Sequence, residues 1–230
     1  MSDFSKIRCV AFDLDDTLWP CEPTILNAEL ELYEWLERCY PRLTNEYSLE
    51  GMRELRANFA TQNPRIAHDV TALRKQLLAD LAIKFGYSDN LAIDGLAVFR
   101  EHRNKVSLFD DALPTICKLN KHFKTGVITN GNADLEAIGL SEYFDFIVTA
   151  EEAGSAKPDQ AIFEYARNKV NLEKYELLYV GDHPINDVLG SSNSGWKSLW
   201  FNPSEESWLE NVMPDAEIKM LSELPSLLAI

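Results

Sequence analysis

Three carboxylates, Asp13, Asp15 and Asp16, stand directly behind a short, largely apolar run at residues 7–12, and Thr17, Leu18 and Trp19 follow at once. Short apolar runs of this kind read as fully buried strands of a parallel sheet. Acids crowded at the end of such a strand raise one another's pKa, which is unfavourable unless a positive charge joins them. A divalent cation removes that cost. Residues i and i+2 of an extended chain point the same way, so Asp13 and Asp15 can face one site. A carboxylate can be the nucleophile of phosphoryl transfer and form an aspartyl-phosphate. Asp13 is the candidate. A second carboxylate can protonate the leaving oxygen and later deprotonate water, and Asp15 is placed for that. The plainer alternative is that these acids cap a loop or a helix start. Asp16 fits that role, and Thr17 fits a brace of the turn through its hydroxyl. For Asp13 and Asp15 together, the chemical role is preferred.

Two more buried strands end in polar groups. One ends in Thr129-Asn130-Gly131 and the other in Gly181-Asp182. The Thr129 hydroxyl and the backbone N–H groups of Asn130 and Gly131 can bind phosphate oxygens. Such turns are common, so this signal counts only at the end of a buried strand. Lys157 precedes Pro158, which can open a helix. There it can balance Asp13 and hold a phosphate, although a lone Lys is usually a solvated surface residue. Mg²⁺ takes a few carboxylate oxygens and keeps several waters. Asp13, Asp182 and the backbone carbonyl of Asp15 make such a set. Asp187 reads as an outer group that orients waters or Lys157. The alternative for Asp182 and Asp187 is a helix start decorated with acids.

The elements that must position these groups follow from the hydrophobic pattern. Helices are expected at 24–39, 48–61, 70–85 and 88–105, with Ser48 and Asp69 as N-caps and Gly86 as a stop. No strand signal occurs between Trp19 and residue 106. From residue 110 the pattern alternates. Helices at 110–122, 134–140, 158–170 and 187–194 are interleaved with strands at 125–129, 146–149, 177–180 and 197–201. Alternation of this kind predicts an α/β fold: a doubly wound, mostly parallel sheet with helices on both faces. Residues 1–19 and 106–230 then form the core, and 20–105 an inserted all-helical cap. Open parallel sheets bind ligands beyond the carboxyl ends of their strands, where the polar groups named above gather.

With 230 residues the chain can bury a sizeable core. Its net charge of −15 argues against a nucleic-acid or anionic-membrane surface. An anionic substrate must then be drawn in by a metal or a local Lys. Cys9, Cys21, Cys39 and Cys117 form no CxxC pair, so neither a disulfide framework nor a zinc site is expected. The N-terminal stretch lacks an apolar signal core, and no apolar run would span a membrane. A reduced, cytoplasmic location is the expectation. The oligomeric state is not legible.

In order, Asp13/Asp15, Thr129, Lys157 and Asp182/Asp187 resemble the four motifs of the haloacid dehalogenase-like (HAD) hydrolase superfamily, the first of which is DxDx[TV]. The resemblance covers nearly the whole chain, including a helical cap after the first motif, as in the subfamily I (C1-cap) enzymes. It implies a Rossmannoid core, Mg²⁺ as cofactor, Asp13 as nucleophile and Asp15 as general acid/base. It also implies Thr129 and Lys157 as phosphate ligands, Asp182 as a metal ligand and Asp187 as its support. The haloacid dehalogenases of the superfamily lack the second acid and need no Mg²⁺. Asp15 therefore favours a phosphatase, because a poor leaving alkoxide needs a proton and a halide does not. Three stretches, AFDLDDTL, AHDVT and ITNGNADLEAIGLSEYFDF, are further similar to the bacterial flavin mononucleotide (FMN) and 5-amino-6-(5-phospho-D-ribitylamino)uracil phosphatases. A small phosphorylated metabolite is thus the implied partner.

Rival readings are a non-enzymatic protein that binds a phosphometabolite and, less favoured, a dehalogenase or a phosphomutase. Trp19 could stack on an aromatic substrate but reads more readily as core. His68, Arg74 and Lys75 could meet a substrate, yet most such residues face water. His183, directly after Asp182, could approach a metal-bound water but reads more readily as pointing to solvent. His102 and His122 are expected on helix surfaces.

Overall fold

The computed structural model describes residues 3–230. Residues 1 and 2, counted above in the core, lie outside them. Six strands form one sheet: β1 (Cys9–Phe12), β2 (Lys124–Thr129), β3 (Phe146–Thr149), β4 (Leu177–Gly181), β5 (Lys197–Phe201) and β6 (Ala216–Ile218). Their order is β3-β2-β1-β4-β5-β6, and every neighbouring pair is parallel. The longer helices are α1 (Cys21–Cys39), α2 (Leu49–Gln62), α3 (Val70–Phe85), α4 (Asn90–Arg103), α5 (Ala112–Leu119) and α6 (Gln160–Val170).

The apolar runs are buried strands because both faces of the sheet are covered. Every residue of β1 and β4 is buried. Cys9 and Ala11 join Ile128, Phe146, Tyr179, Phe163 and Ala166 in one apolar cluster. Val10 and Phe12 alternate with them and are fully buried on the other face. At Gly126 the Phe146 ring lies so close that a Cβ would fall 2.1 Å from it, which makes this strand position a glycine.

The chain forms two compact units. The first comprises the residues up to Pro20, Ser107–Gly131 and Gly139–Ile230, and contains the sheet. The second comprises Cys21–Val106 and Asn132–Ile138. Within it Ala28, Leu32 and Leu36 of α1 pack with Leu77, Leu78 and Leu81 of α3 and with Leu91 and Phe99 of α4. Residues 132–138, expected with the sheet, cluster instead with these helices. Asn132 Nδ2 donates to Thr71 Oγ1, and Asp134 N donates to Asn104 Oδ1. No helix of the described residues is long and apolar enough to cross a membrane.

Capping chemistry set the ends that were legible. Ser48 accepts from Gly51 N, Asp69 accepts from Ala72 N, and Gly86 adopts a left-handed φ of 66°. Other expected elements shift. The helix expected from Pro158 starts at Gln160, because Asp159 caps it by accepting from Ala161 N. Pro158 stands outside, behind a cis Lys157–Pro158 peptide. The helix expected at 134–140 contracts to Leu135–Ile138. The one expected at 187–194 begins earlier and divides into a wide π-type turn, Pro184–Leu189, and a short helix, Gly190–Asn193. Strand β6 had no counterpart in the sequence reading.

Candidate active site

The strand order places β1 between β2 and β4, so the sheet changes its direction of growth beside β1. Parallel sheets open a crevice at such a point, beyond the carboxyl ends of the strands. Phe12 lies level with Val127 of β2 and Val180 of β4. The next residues along each strand therefore emerge at one rim: Asp13, then Ile128 and Thr129, then Gly181 and Asp182. Asp13 still donates its N–H to Val180 O at 2.9 Å, so the ladder fixes its backbone.

Lys157 is the hub. Its Nζ lies 2.7 Å from Asp13 Oδ1 and 2.7 Å from Asp187 Oδ1. It also donates to Tyr179 Oη at 2.7 Å, and Tyr179 in turn donates to Ile128 O at 2.6 Å. Two of the three ammonium N–H groups are donated, to Asp187 Oδ1 and Tyr179 Oη, and the contact with Asp13 Oδ1 is an ion pair. The Lys157 side chain is only 2% exposed. Its backbone is held too. Asn130 Nδ2 donates to Lys157 O, and Lys157 N donates to Asn130 Oδ1. The Asn130 side chain thus anchors the Lys157 backbone.

The acids gather around this cation. Carboxylate oxygens of Asp13, Asp182 and Asp187 lie within 4.8 Å of one another. Burial pushes Asp13 above the usual carboxylate range. Lys157 pulls it back, and Asp187 and Asp15 add to the rise. Burial, then Asp187 and Asp13, push Asp182 up to about 8, against the Thr17 hydrogen bond. Burial alone would lower Lys157, but Asp13 and Asp187 outweigh it and hold the amine above its ordinary value. Lys157 thus opposes the rise at Asp13 without reversing it.

Asp187 is held by its neighbours. Besides Lys157 it accepts the His183 N–H through Oδ2 at 2.9 Å. Its approach requires Gly181, where a Cβ would lie 2.4 Å from Asp187 Cγ. Asp13 and Asp182 each keep one oxygen without a hydrogen bond or ion pair among the described residues. Buried, mutually repelling, all-oxygen donors of this kind fit a hard divalent cation such as Mg²⁺. The Asp15 carboxylate is not part of the cluster. Its Oδ1 accepts the indole N–H of Trp19 at 2.9 Å, and Asp16 N donates to Trp19 O at 2.8 Å. The loop is thereby closed on itself, with Asp16 at a φ of 60°.

Several expectations for single residues change. The Thr17 hydroxyl does not brace its own turn: it donates to Asp182 Oδ1 at 3.0 Å and accepts from Asp182 N at 3.1 Å, which ties the two acidic loops together. Thr129 is buried, and its Oγ1 accepts from Gly131 N at 2.9 Å. That engages the Gly131 N–H expected to meet a phosphate. His183 is exposed, but its Nδ1 accepts from Ile185 N and Asn186 N and so caps the π-type turn. Trp19 is fully buried. In the helical unit Arg74 does not face water. It lies over the Phe99 ring, 3.5 Å from its centroid, and 3.7 Å from Glu29 Oε1. Burial and then Arg56 pull it down to about 10. His68 is half-buried there, and Lys75 is exposed. His102 is partly buried, 3.8 Å from Glu31 Oε2, while His122 is exposed.

Sequence reasoning missed Tyr179, Trp200 and the tie from Trp19 to Asp15. Trp200 Nε1 donates to Asp182 O at 2.7 Å and so fixes the second acidic loop. One signal was available: Tyr and Trp on buried strands need partners for their polar tips, and the partners lie at the strand ends.

Residues 7–195 match the family of haloacid dehalogenase-like hydrolases. The chain is 32% identical to the 5-amino-6-(5-phospho-D-ribitylamino)uracil phosphatase YigB of Escherichia coli (strain K12), over 97% of this chain and 97% of that protein. Among solved structures, a 2-haloacid dehalogenase from Pseudomonas syringae pv. tomato DC3000 superposes with a TM-score of 0.91 at 39% identity, covering 97% of this chain and 98% of the other. A HAD phosphatase from Thermococcus onnurineus superposes with a TM-score of 0.71 at 26% identity, over 96% and 98%.

Proposed function

The chain belongs to the haloacid dehalogenase-like hydrolases, and on that premise we propose that it is a cytoplasmic, Mg²⁺-dependent phosphomonoesterase with 20–105 as its cap. The substrate is a small phosphorylated metabolite, with FMN and 5-amino-6-(5-phospho-D-ribitylamino)uracil the first to try. One observation carries the reading: Asp13 meets Lys157 at 2.7 Å beside Asp182 and Asp187, with a second acid two residues along the chain.

Asp13, Asp182 and the Asp15 carbonyl would hold the cation. When bound, it offsets the negative charge of the phosphate and of the acids around it. Lys157 counters the rise that burial imposes on Asp13 and adds positive charge for the phosphate. Thr129 and the Asn130 N–H bind its oxygens. Asp13 attacks phosphorus, and the bond to the leaving oxygen breaks as Asp15 gives that oxygen a proton. Asp15, oriented by Trp19, then takes a proton from the water that cleaves the aspartyl-phosphate and regenerates Asp13.

A dehalogenase is the second reading, favoured by the name of the Pseudomonas relative. Asp15 supports the phosphatase, since halide departure needs no acid. The test is release of phosphate from a panel of monoesters, and of halide from 2-haloacids, with and without Mg²⁺. Mg²⁺-dependent phosphate release that is abolished by Asp13→Asn in a folded protein is expected. Halide release that is indifferent to Mg²⁺, with no phosphate release, would sink the proposal. Turnover led by another ester would keep the chemistry and discard the flavin-pathway substrates.

A further inference from the structure

The peptide unit between Asp182 and His183 is pinned at both of its polar ends. Its carbonyl, Asp182 O, accepts the Trp200 indole N–H at 2.7 Å. Its N–H, that of His183, donates to Asp187 Oδ2 at 2.9 Å. Asp182 is held on its other side as well, since Thr17 Oγ1 accepts from Asp182 N and donates to Asp182 Oδ1. Trp200 comes from β5, where it stands level with Gly181 of β4. Its ring packs on Trp208 with centroids 4.9 Å apart. The loop that carries Trp208 is fastened by Asn202, which donates to Glu206 O and Glu217 Oε1 and accepts from Glu206 N. At 2% exposure Trp200 offers no surface to a ligand. What it controls is the backbone of Asp182.

We infer that Trp200 is a positioning residue of the cation site, and that its hold on Asp182 favours a small divalent cation over a larger one. The inference rests on the reading of Asp182 as a ligand of Mg²⁺. Mg²⁺ takes few protein oxygens in a near-ideal octahedron and keeps several waters. Ca²⁺ gathers about six to eight oxygens, often two from one carboxylate or one from a backbone carbonyl. At Asp182 both kinds of extra oxygen are withheld. Thr17 engages Oδ1, so the carboxylate presents its other oxygen alone. Trp200 engages the carbonyl and, with Asp187 on the N–H, stops the peptide from turning. Groups that orient a metal ligand in this way typically carry about ten- to hundredfold in metal affinity.

The test titrates Mg²⁺ and Ca²⁺ separately into the metal-free protein by calorimetry. The quantity read is the ratio of the Ca²⁺ Kd to the Mg²⁺ Kd. Trp200→Phe keeps an aromatic side chain and removes the N–H. It should raise the Mg²⁺ Kd roughly tenfold and the Ca²⁺ Kd by less, so that the ratio shrinks. Phe201→Leu truncates the neighbouring core residue without touching this hydrogen bond. It should lower stability in urea and leave the ratio alone. A ratio unchanged in Trp200→Phe, or changed equally in both variants, overturns the inference while the Mg²⁺ reading stands. An unmodified protein that binds neither ion overturns both. If Trp200→Phe does not fold, exchange of the Trp200 indole proton in the unmodified protein decides. Cation binding and the hydrogen bond are linked, so Mg²⁺ should slow that exchange, and more than Ca²⁺ does. Equal slowing, or none, overturns the inference.

Discussion

Tyr179 shows what one hydroxyl can do in a buried site. It accepts from Lys157 Nζ and donates to Ile128 O, so the amine that holds Asp13 is itself held from the sheet. Tyr179→Phe keeps the ring and strands one donor of a buried ammonium, a loss of about 1–3 kcal/mol. Urea unfolding should show that loss, and kcat should fall more than KM rises. Asp182 carries the pH dependence. Its folded value of about 8 lies above the ordinary 3.8, so the folded, metal-free protein keeps a proton there that the unfolded chain has lost. The stability this supplies is complete below 3.8 and is lost as pH rises through about 8. Urea midpoints in EDTA should therefore fall across that range. Saturating Mg²⁺ should remove the fall, and Asp182→Asn should reduce it without metal, leaving the share of Asp13, which burial also raises. Asp13 and Asp15 stood out in the sequence because acids crowded behind a buried strand repel one another, which a loop cap accounts for less readily than a charged ligand. Tyr179 did not, because its partners lie on other elements and only the strand order brings them together.

At the scale of elements, the turn after β4 depends on a missing side chain. Gly181 lets the Asp187 carboxylate lie against the strand, and a Cβ there would sit 2.4 Å from Asp187 Cγ. Gly181→Ala must displace Asp187 or bend β4, and either change loosens Lys157 and the His183 N–H together. The expected result is a protein destabilised by about 1–3 kcal/mol with little remaining turnover, read by denaturant unfolding and phosphate release. Gly181→Ala with wild-type stability and rate would show that the close approach is dispensable. Helix α3 was legible to the residue because Asp69 and Gly86 are cap residues with one mechanism each. The π-type turn was not, since it depends on His183 accepting two N–H groups in place of a serine or aspartate. Strand β6 was not legible either: three residues give no period, and only the existing edge of β5 makes Ala216–Ile218 a strand.

At the scale of the molecule, alternation of apolar runs and amphipathic helices gave the parallel sheet, while the second compact unit comprises Cys21–Val106 together with Asn132–Ile138. That 132–138 would join the helices was hidden, because the contacts of Asn132 and Asp134 are polar and specific to this packing. The net charge of −15 makes the molecule a poor partner for anions in general. At the rim where three strands end, buried Lys157 faces three acids, so the site shares the acidic balance of the whole.

Strand β1 is made first during synthesis, yet its neighbours are remote. Cys9 pairs beside Lys124 on one side and Leu177 on the other. Nothing in the first hundred residues can complete the sheet, whereas α1, α3 and α4 have their apolar partners within that span. Closing long loops is entropically costly and slows folding, and local packing is not delayed in this way. The helical unit should therefore acquire amide protection early, and β1 only when β4 is available. Pulsed hydrogen exchange during refolding of the full chain measures this order directly. Until β2 arrives β1 has neither neighbour, and until β4 arrives one of its edges stays open; such edges are where nascent chains associate wrongly. A sheet whose central strand comes first thus ties completion of the catalytic rim to late steps of folding, because Asp182 and Asp187 reach Asp13 and Lys157 only once β4 is in place.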